Sequence, residues 1–244
     1  MAIKIALVED DEIIRDNYAE ILADEGFEVV VFGTRQHAIN YFQQELPDIA
    51  ILDVGLQEER DGGFKLCSDL RRLAPKLPII FLTSRDEEID RISGLRLGAD
   101  DYITKDASIK FLMVRIEALL HRIEVITQSE QMVKTAAPTV KKDAMLLELG
   151  SLKVDRNQLK ATWKNLPLEL SLTQFWILYE LVANPGEVKT SDKLMQAAKI
   201  CVEPNTITAH IKTIRARFRD IDSDFDCIKT ERSAGYRWLD KHTE

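Results

Sequence analysis

The chain has 244 residues, 45% of them hydrophobic and 30% charged, a balance that suits a globular protein of one large or two ordinary domains. Its net charge of −8 is uneven: residues 1–124 carry 15 basic and 25 acidic side chains, and the remainder carry 18 and 16. That split predicts two domains with different partners and allows an acidic half to mask a basic one, so overall acidity does not exclude nucleic-acid binding. The opening MAIKIALVEDDE meets its first acids after eight residues, which is too short for an export signal. No stretch approaches the ~20 apolar residues of a membrane span. A cytoplasmic protein with no membrane partner is expected. Cys67, Cys201 and Cys227 are odd in number and fit no zinc spacing, so they read as reduced packing thiols.

In chain order, short β-branched runs at Ile3–Val8, Val29–Phe32, Ile49–Leu52, Ile79–Leu82 and Tyr102–Thr104 predict strands buried on both faces. Between them lie stretches with helical spacing. Ile13–Ala23 places Ile13, Ile14, Tyr18, Ile21 and Leu22 on one stripe, and similar stretches run over 35–44, 64–73, 87–97 and 109–123. Five strands alternating with five helices predict a doubly wound parallel sheet.

In such sheets, chemistry collects beyond the carboxyl ends of the strands. Glu9, Asp10 and Asp11 follow the first strand, Asp53 the third, Thr83 and Ser84 the fourth, and Lys105 the fifth. Clustered carboxylates repel one another and lose hydration, which calls for a counter-charge. An all-oxygen, partly hydrated set favours Mg²⁺. A metal, a hydroxyl and an ammonium around one carboxylate make a phosphoryl-transfer site, with Asp53 as nucleophile. Acids after a strand also serve as helix caps, and this accounts for Asp11, Glu12, Asp86 and Glu87. It leaves unexplained the apolar strand that ends at Asp53 and the Lys105 on the same rim.

The motifs LVEDD, ILDVGL, IIFLTSRD and GADDYITK resemble the receiver domain of two-component response regulators, with a flavodoxin-like fold over residues 1–124. The resemblance implies that Asp53 accepts a phosphoryl group from a sensor histidine kinase. It also implies that Glu9, Asp10, Asp53 and the Gly55 carbonyl hold Mg²⁺, that Thr83 and Tyr102 form the switch pair, and that Lys105 binds phosphate. Two departures stand out. The loop VGLQEERDGG lacks a proline and is one residue longer than usual, and Asp106 replaces the proline that usually follows the lysine. A homodimer that forms on phosphorylation would use Arg91, Asp100, Asp101, Phe111, Arg115 and Arg122, with Phe111 in place of a usual acid.

Residues 125–145 are polar and read as a linker. Beyond it, strand-like pieces at Leu146–Val154, Gln158–Trp163 and Leu166–Glu169 precede helical segments at Thr173–Ala183, Ser191–Ala198 and Asn205–Phe218. A hairpin of Ile228–Thr230 and Tyr236–Leu239 closes the chain. In NTITAHIKTIRARFR, Ile207, Ile211, Ile214 and Phe218 form an apolar stripe opposite a cationic face without acids. Such a helix suits the major groove.

LPLELSLTQFWILYELVANPGEV, TITAHIKTIRARF and IKTERSAGYRW resemble the α+β winged-helix domain of the OmpR/PhoB class, over residues 146–240. The resemblance implies that Thr206, Thr208, His210, Lys212 and Arg215 face double-stranded DNA, joined by Thr230 and Arg232 from the wing, with RNA polymerase as a further partner. Asn205 and Ser233 replace a usual Arg and Gly. The altered loop, the Lys105–Asp106 pair and Phe175–Trp176 resemble regulators of proteobacterial dedicated sortase systems. Three rivals stand beside this reading: a regulator that needs no phosphorylation, against which Asp10, Asp53 and Thr83 stand together; an interaction adaptor with no DNA role, which the basic helix and wing disfavour; and a Mg²⁺-dependent aspartyl-phosphate phosphohydrolase. The hydrolase usually has a second Asp where this chain has Gly55, so a non-enzyme is expected.

Overall fold

The computed structural model describes residues 2–56, 59–120, 146–156, 158–198 and 204–239. The expected linker at 125–145, Arg122 and Cys201 lie outside the described residues. The chain divides into two compact units, Met1–Leu120 and His121–Glu244.

The first unit alternates strand and helix: β1 (Lys4–Val8), α1 (Glu12–Asp24), β2 (Glu28–Phe32), α2 (Arg35–Phe42), β3 (Ile49–Leu52), α3 (Gly62–Leu73), β4 (Ile79–Thr83), α4 (Glu88–Arg96) and β5 (Asp101–Thr104). A helix over 109–120, α5, follows. The strands form one parallel sheet in the order β2-β1-β3-β4-β5. The central strands β3 and β4 are buried throughout, as their unbroken apolar composition predicts. Tyr18 and Leu22 of α1, with Leu112, Ile116 and Leu119 of α5, pack with Ile5, Leu7, Ile49, Ile51 and Ile80 of the sheet. Each such side chain contributes about 1.5–3 kcal/mol by leaving water.

Helix α1 starts where Asp11 accepts hydrogen bonds from the N–H groups of Ile13 and Ile14 at 2.9 and 3.0 Å, so Asp11 caps, as expected. Ile13 itself departs from the predicted stripe and is 82% exposed. It occupies the first turn, ahead of the point where α1 meets the sheet. Because β1 adjoins both β2 and β3 while the chain winds outward in opposite senses, a crevice opens at the carboxyl ends of β1 and β3.

The second unit begins with an antiparallel sheet of β6 (Leu146–Leu149), β7 (Leu152–Asp155), β8 (Lys160–Trp163) and β9 (Leu166–Pro167). The single piece expected at Leu146–Val154 is two strands, because Gly150, at φ 55°, turns the chain between them. Then come α6 (Leu172–Ala183), α7 (Ser191–Ala197), α8 (Pro204–Ile221) and the antiparallel hairpin β10 (Ile228–Glu231) and β11 (Gly235–Trp238). Ser171 and Gln174 cap α6 reciprocally. Ile207, Ile211, Ile214 and Phe218 of α8 all enter the core, as the stripe predicts. Phe218 stacks on Phe225 at 4.0 Å, and Trp163 meets both rings edge-on at 5.3 Å. Sheet, helices and terminal hairpin together make a winged helix.

Candidate functional site

The crevice of the first unit gathers the predicted rim. Asp53 follows β3 directly, and its N–H donates to the Val8 carbonyl of β1 at 2.8 Å. One oxygen of its carboxylate accepts the Val54 N–H at 2.6 Å. The other receives the Lys105 ammonium at 2.7 Å. Lys105 also reaches Glu9 at 2.6 Å, so one ammonium bridges two buried carboxylates. Glu9, Asp10 and Asp53 each offer an oxygen within 4.8 Å of the others. Three carboxylates against one ammonium leave two negative charges, which a divalent cation matches. The donors are all oxygen, so the residues present fit Mg²⁺.

The electrostatics follow from that crowding. Burial, opposed by the hydrogen bond from Lys105 and reinforced by the charge of Asp53, leaves the Glu9 carboxyl raised to about 7. Burial by itself would lower the Lys105 ammonium, but its hydrogen bonds to Asp53 and Glu9 outweigh that and hold it above its ordinary value. The Lys105–Asp106 peptide is trans, and the ammonium reaches Asp53 all the same.

Thr83 ends β4 and is buried; its hydroxyl oxygen accepts the Arg85 N–H at 3.3 Å. The Tyr102 hydroxyl donates to the Arg85 carbonyl at 3.0 Å. Burial raises the Tyr102 phenol, so it stays a donor. In the loop after Asp53, Leu56 and Glu59 exchange backbone hydrogen bonds of 3.1 and 2.9 Å, an antiparallel bridge between the two. Gly55 needs no glycine for space, since a Cβ there would meet only the Arg60 carbonyl at 4.0 Å. Gly63 does: its Cβ would lie 1.8 Å from the Asp53 carbonyl oxygen. That close approach seats the first turn of α3 against the Asp53 backbone. The Gly-Gly pair was visible in the sequence, but its partner was not.

Several predicted dimer-face residues are engaged inside the unit. Asp100 is buried and accepts from Arg71 at 2.7 Å and from the Ile79 N–H at 3.1 Å. Asp101 and Arg115 are buried and pair with one another. This differs from the expectation that they face a partner copy: at the start of β5, carboxylates lie where buried guanidinium groups neutralise them. Arg91 on α4 and Phe111 on α5 are half-buried.

On α8, Thr208 and Lys212 are exposed and Arg215 is half-buried. The Thr208 hydroxyl meets the Tyr236 hydroxyl of β11 at 3.1 Å. Arg215 donates to the Ile228 carbonyl at 2.8 Å and to the Thr230 hydroxyl at 2.9 Å, and its guanidinium lies over the Tyr236 ring. Arg215 therefore ties the helix to the wing. Thr230 and Arg232 are exposed. Thr206 and His210 depart from expectation: at 2% and 0% exposure they present no surface to DNA. Hydrophobic spacing marks the stripe that enters the core; it does not show that a flanking polar row is covered too.

A model of the response regulator receiver domain matches residues 5–117, and one described as transcriptional regulatory protein, C terminal, matches residues 165–238. The transcriptional regulatory protein CreB of Escherichia coli K12 is 35% identical over 94% of this chain and 95% of its own length. The phosphate regulon transcriptional regulatory protein PhoB of the same organism is 30% identical over 98% of each. A solved structure of a RitR mutant superposes with a TM-score of 0.74 over 98% of this chain and 100% of its own at 20% identity, a likeness of fold.

Proposed function

The chain belongs to the OmpR/PhoB class of two-component response regulators and controls transcription, and from that premise we propose that Asp53 is its phosphoryl acceptor. The observation that carries this is the Lys105 ammonium lying on Asp53 and Glu9 at once, which sets a fixed counter-charge beside the Asp53 carboxylate. A sensor histidine kinase presents a phosphohistidine. An Asp53 oxygen attacks phosphorus, the P–N bond breaks, and the imidazole leaves with the electron pair. Mg²⁺ held by Glu9, Asp10, Asp53 and the Gly55 carbonyl supplies neutralisation of the phosphoryl oxygens when bound. Lys105 pairs with a further oxygen, the Thr83 hydroxyl donates to another, and Tyr102 turns inward behind Thr83.

Phosphorylation then favours a homodimer, in which Arg91 and Phe111 remain the better candidates on the predicted face. The dimer places two winged helices on half-sites of double-stranded DNA, with RNA polymerase as the partner that transcription control engages. Thr208, Lys212, Thr230 and Arg232 are the proposed DNA contacts, and Arg215 holds the reader in shape.

The test is to incubate the protein with Mg²⁺ and acetyl phosphate and measure intact mass and dimerisation beside Asp53→Ala. One phosphate on the parent protein alone, with more dimer, is expected. Equal labelling of Asp53→Ala, or none of either beside a control receiver that labels, overturns the assignment.

A further inference from the structure

The Arg85 side chain does something the phosphoryl-transfer reading does not use. Its backbone serves both switch residues, accepting from Tyr102 and donating to Thr83. Its guanidinium leaves that loop and crosses to the one following Asp53. There it pairs with Asp61 at 3.0 Å and donates to the Arg60 carbonyl. Asp61 is a firm anchor, because it immediately precedes Gly62–Gly63, the turn seated on the Asp53 backbone. The far side of that loop is tethered as well: Glu59 pairs with Lys65 at 3.0 Å and lies 3.8 Å from Arg35. A second acid, Asp90 of α4, stands 3.6 Å from the same guanidinium nitrogen. Released from Asp61, the guanidinium still has a partner that belongs to the switch side.

We propose that Arg85 and Asp61 form a latch between the loop carrying Thr83 and the loop carrying Asp53, holding Thr83 and Tyr102 in the unphosphorylated arrangement until Arg85 transfers to Asp90. Just past the Leu56–Glu59 bridge, Arg60 and Asp61 present a carbonyl and a carboxylate to the guanidinium. Arg85 and Asp61 act as positioning residues, through Thr83 and Tyr102. The two-state element in this proposal is the loop carrying Thr83, and losing the Asp61 contact biases its balance. An exposed pair of this kind shifts such a balance by at most about five-fold, the factor for ~1 kcal/mol. The inference rests on the phosphoryl-acceptor reading for its consequence, but not for its geometry.

Two measurements test it on the full chain. First, 3-fluorotyrosine is incorporated and the Tyr102 resonance, assigned with Tyr102→Phe, is followed by ¹⁹F NMR without any phosphodonor. Asp61→Asn and Arg85→Gln are expected to shift it in the same direction, and Arg85→Lys less. An unmoved resonance in both Asp61→Asn and Arg85→Gln overturns the latch, whether or not Asp53 takes phosphate. Second, the rate of Asp53 labelling by acetyl phosphate with Mg²⁺ is expected to rise two- to five-fold in Asp61→Asn, which removes the latch contact and leaves Asp90, and Asp61→Asn is expected to add nothing in an Arg85→Gln background, where the latch is already lost. Additive rates, or rates equal to the parent's, overturn the latch. Absence of label on the parent protein counts against the acceptor reading alone, and the Tyr102 shift still decides the latch.

Discussion

At the scale of single residues, the tightest constraint near Asp53 is a missing side chain. Gly63 leaves no room for a Cβ beside the Asp53 carbonyl, so Gly63→Ala must push α3 away from β3. Overpacking of this kind costs about 1–3 kcal/mol. A lower urea midpoint at unchanged slope is expected, together with slower labelling of Asp53. Ser233 shows the opposite case. It holds φ 61° in the turn of the wing, a region that disfavours a side chain by about 1–2 kcal/mol, partly offset by the extra chain freedom that glycine loses on folding. Ser233→Gly is therefore expected to raise stability by up to about 1 kcal/mol, read as a later denaturation midpoint. Cys67 is fully enclosed, and burial pushes its thiol up to about 12. Because the thiolate is the reacting form, peptide mapping after alkylation at pH 8 should find Cys67 unmodified in the native protein and modified only after denaturation. Legibility at this scale was mixed. The apolar strand ending at Asp53 and the lysine after the fifth strand were readable as one rim, whereas the need for glycine at 63 depends on a carbonyl ten residues earlier.

At the scale of elements, α8 and the wing behave as one piece. Arg215 fastens the helix to Ile228 and Thr230 of β10, and Thr208 meets Tyr236 of β11. Sequence spacing placed Lys212 and Arg215 together on a cationic face, and the structure separates their tasks. Arg215→Ala should accelerate amide exchange along β10 and weaken DNA binding about ten-fold, while Lys212→Ala weakens binding and leaves exchange in the wing as it was. If exchange in β10 is unaffected by Arg215→Ala, the anchoring role is wrong. Thr206 and His210 share the helix but are buried, because periodicity identifies which residues align and leaves open which rows another element covers. Elements themselves were the most legible level. Strand composition, the Asp11 cap and the Ser171–Gln174 box are local signals, and each predicted element of the described residues appears, with Leu146–Val154 divided at Gly150.

For the whole molecule, the opposite charge balance of the two halves carries a functional consequence. DNA binding by a mildly basic unit in an acidic chain should fall steeply with salt, and Lys212→Ala should reduce the slope of log K against log salt by about 1 if Lys212 meets a phosphate. An unchanged slope would place Lys212 away from the backbone. By itself the sequence determined the two fold classes and the common rim. Alternation of apolar strands with amphipathic helices admits few arrangements, and a parallel sheet sends every strand's carboxyl end to one edge. Only the tertiary structure decided the contacts that depend on how far a side chain reaches between elements. Lys105 bridges Glu9 and Asp53 across a trans peptide, Asp100 and Asp101 are neutralised within the sheet unit, and Arg85 crosses from one loop to the other. Those contacts are set by distances of a few ångströms between segments far apart in the chain, and neither residue type nor spacing along the chain encodes such distances.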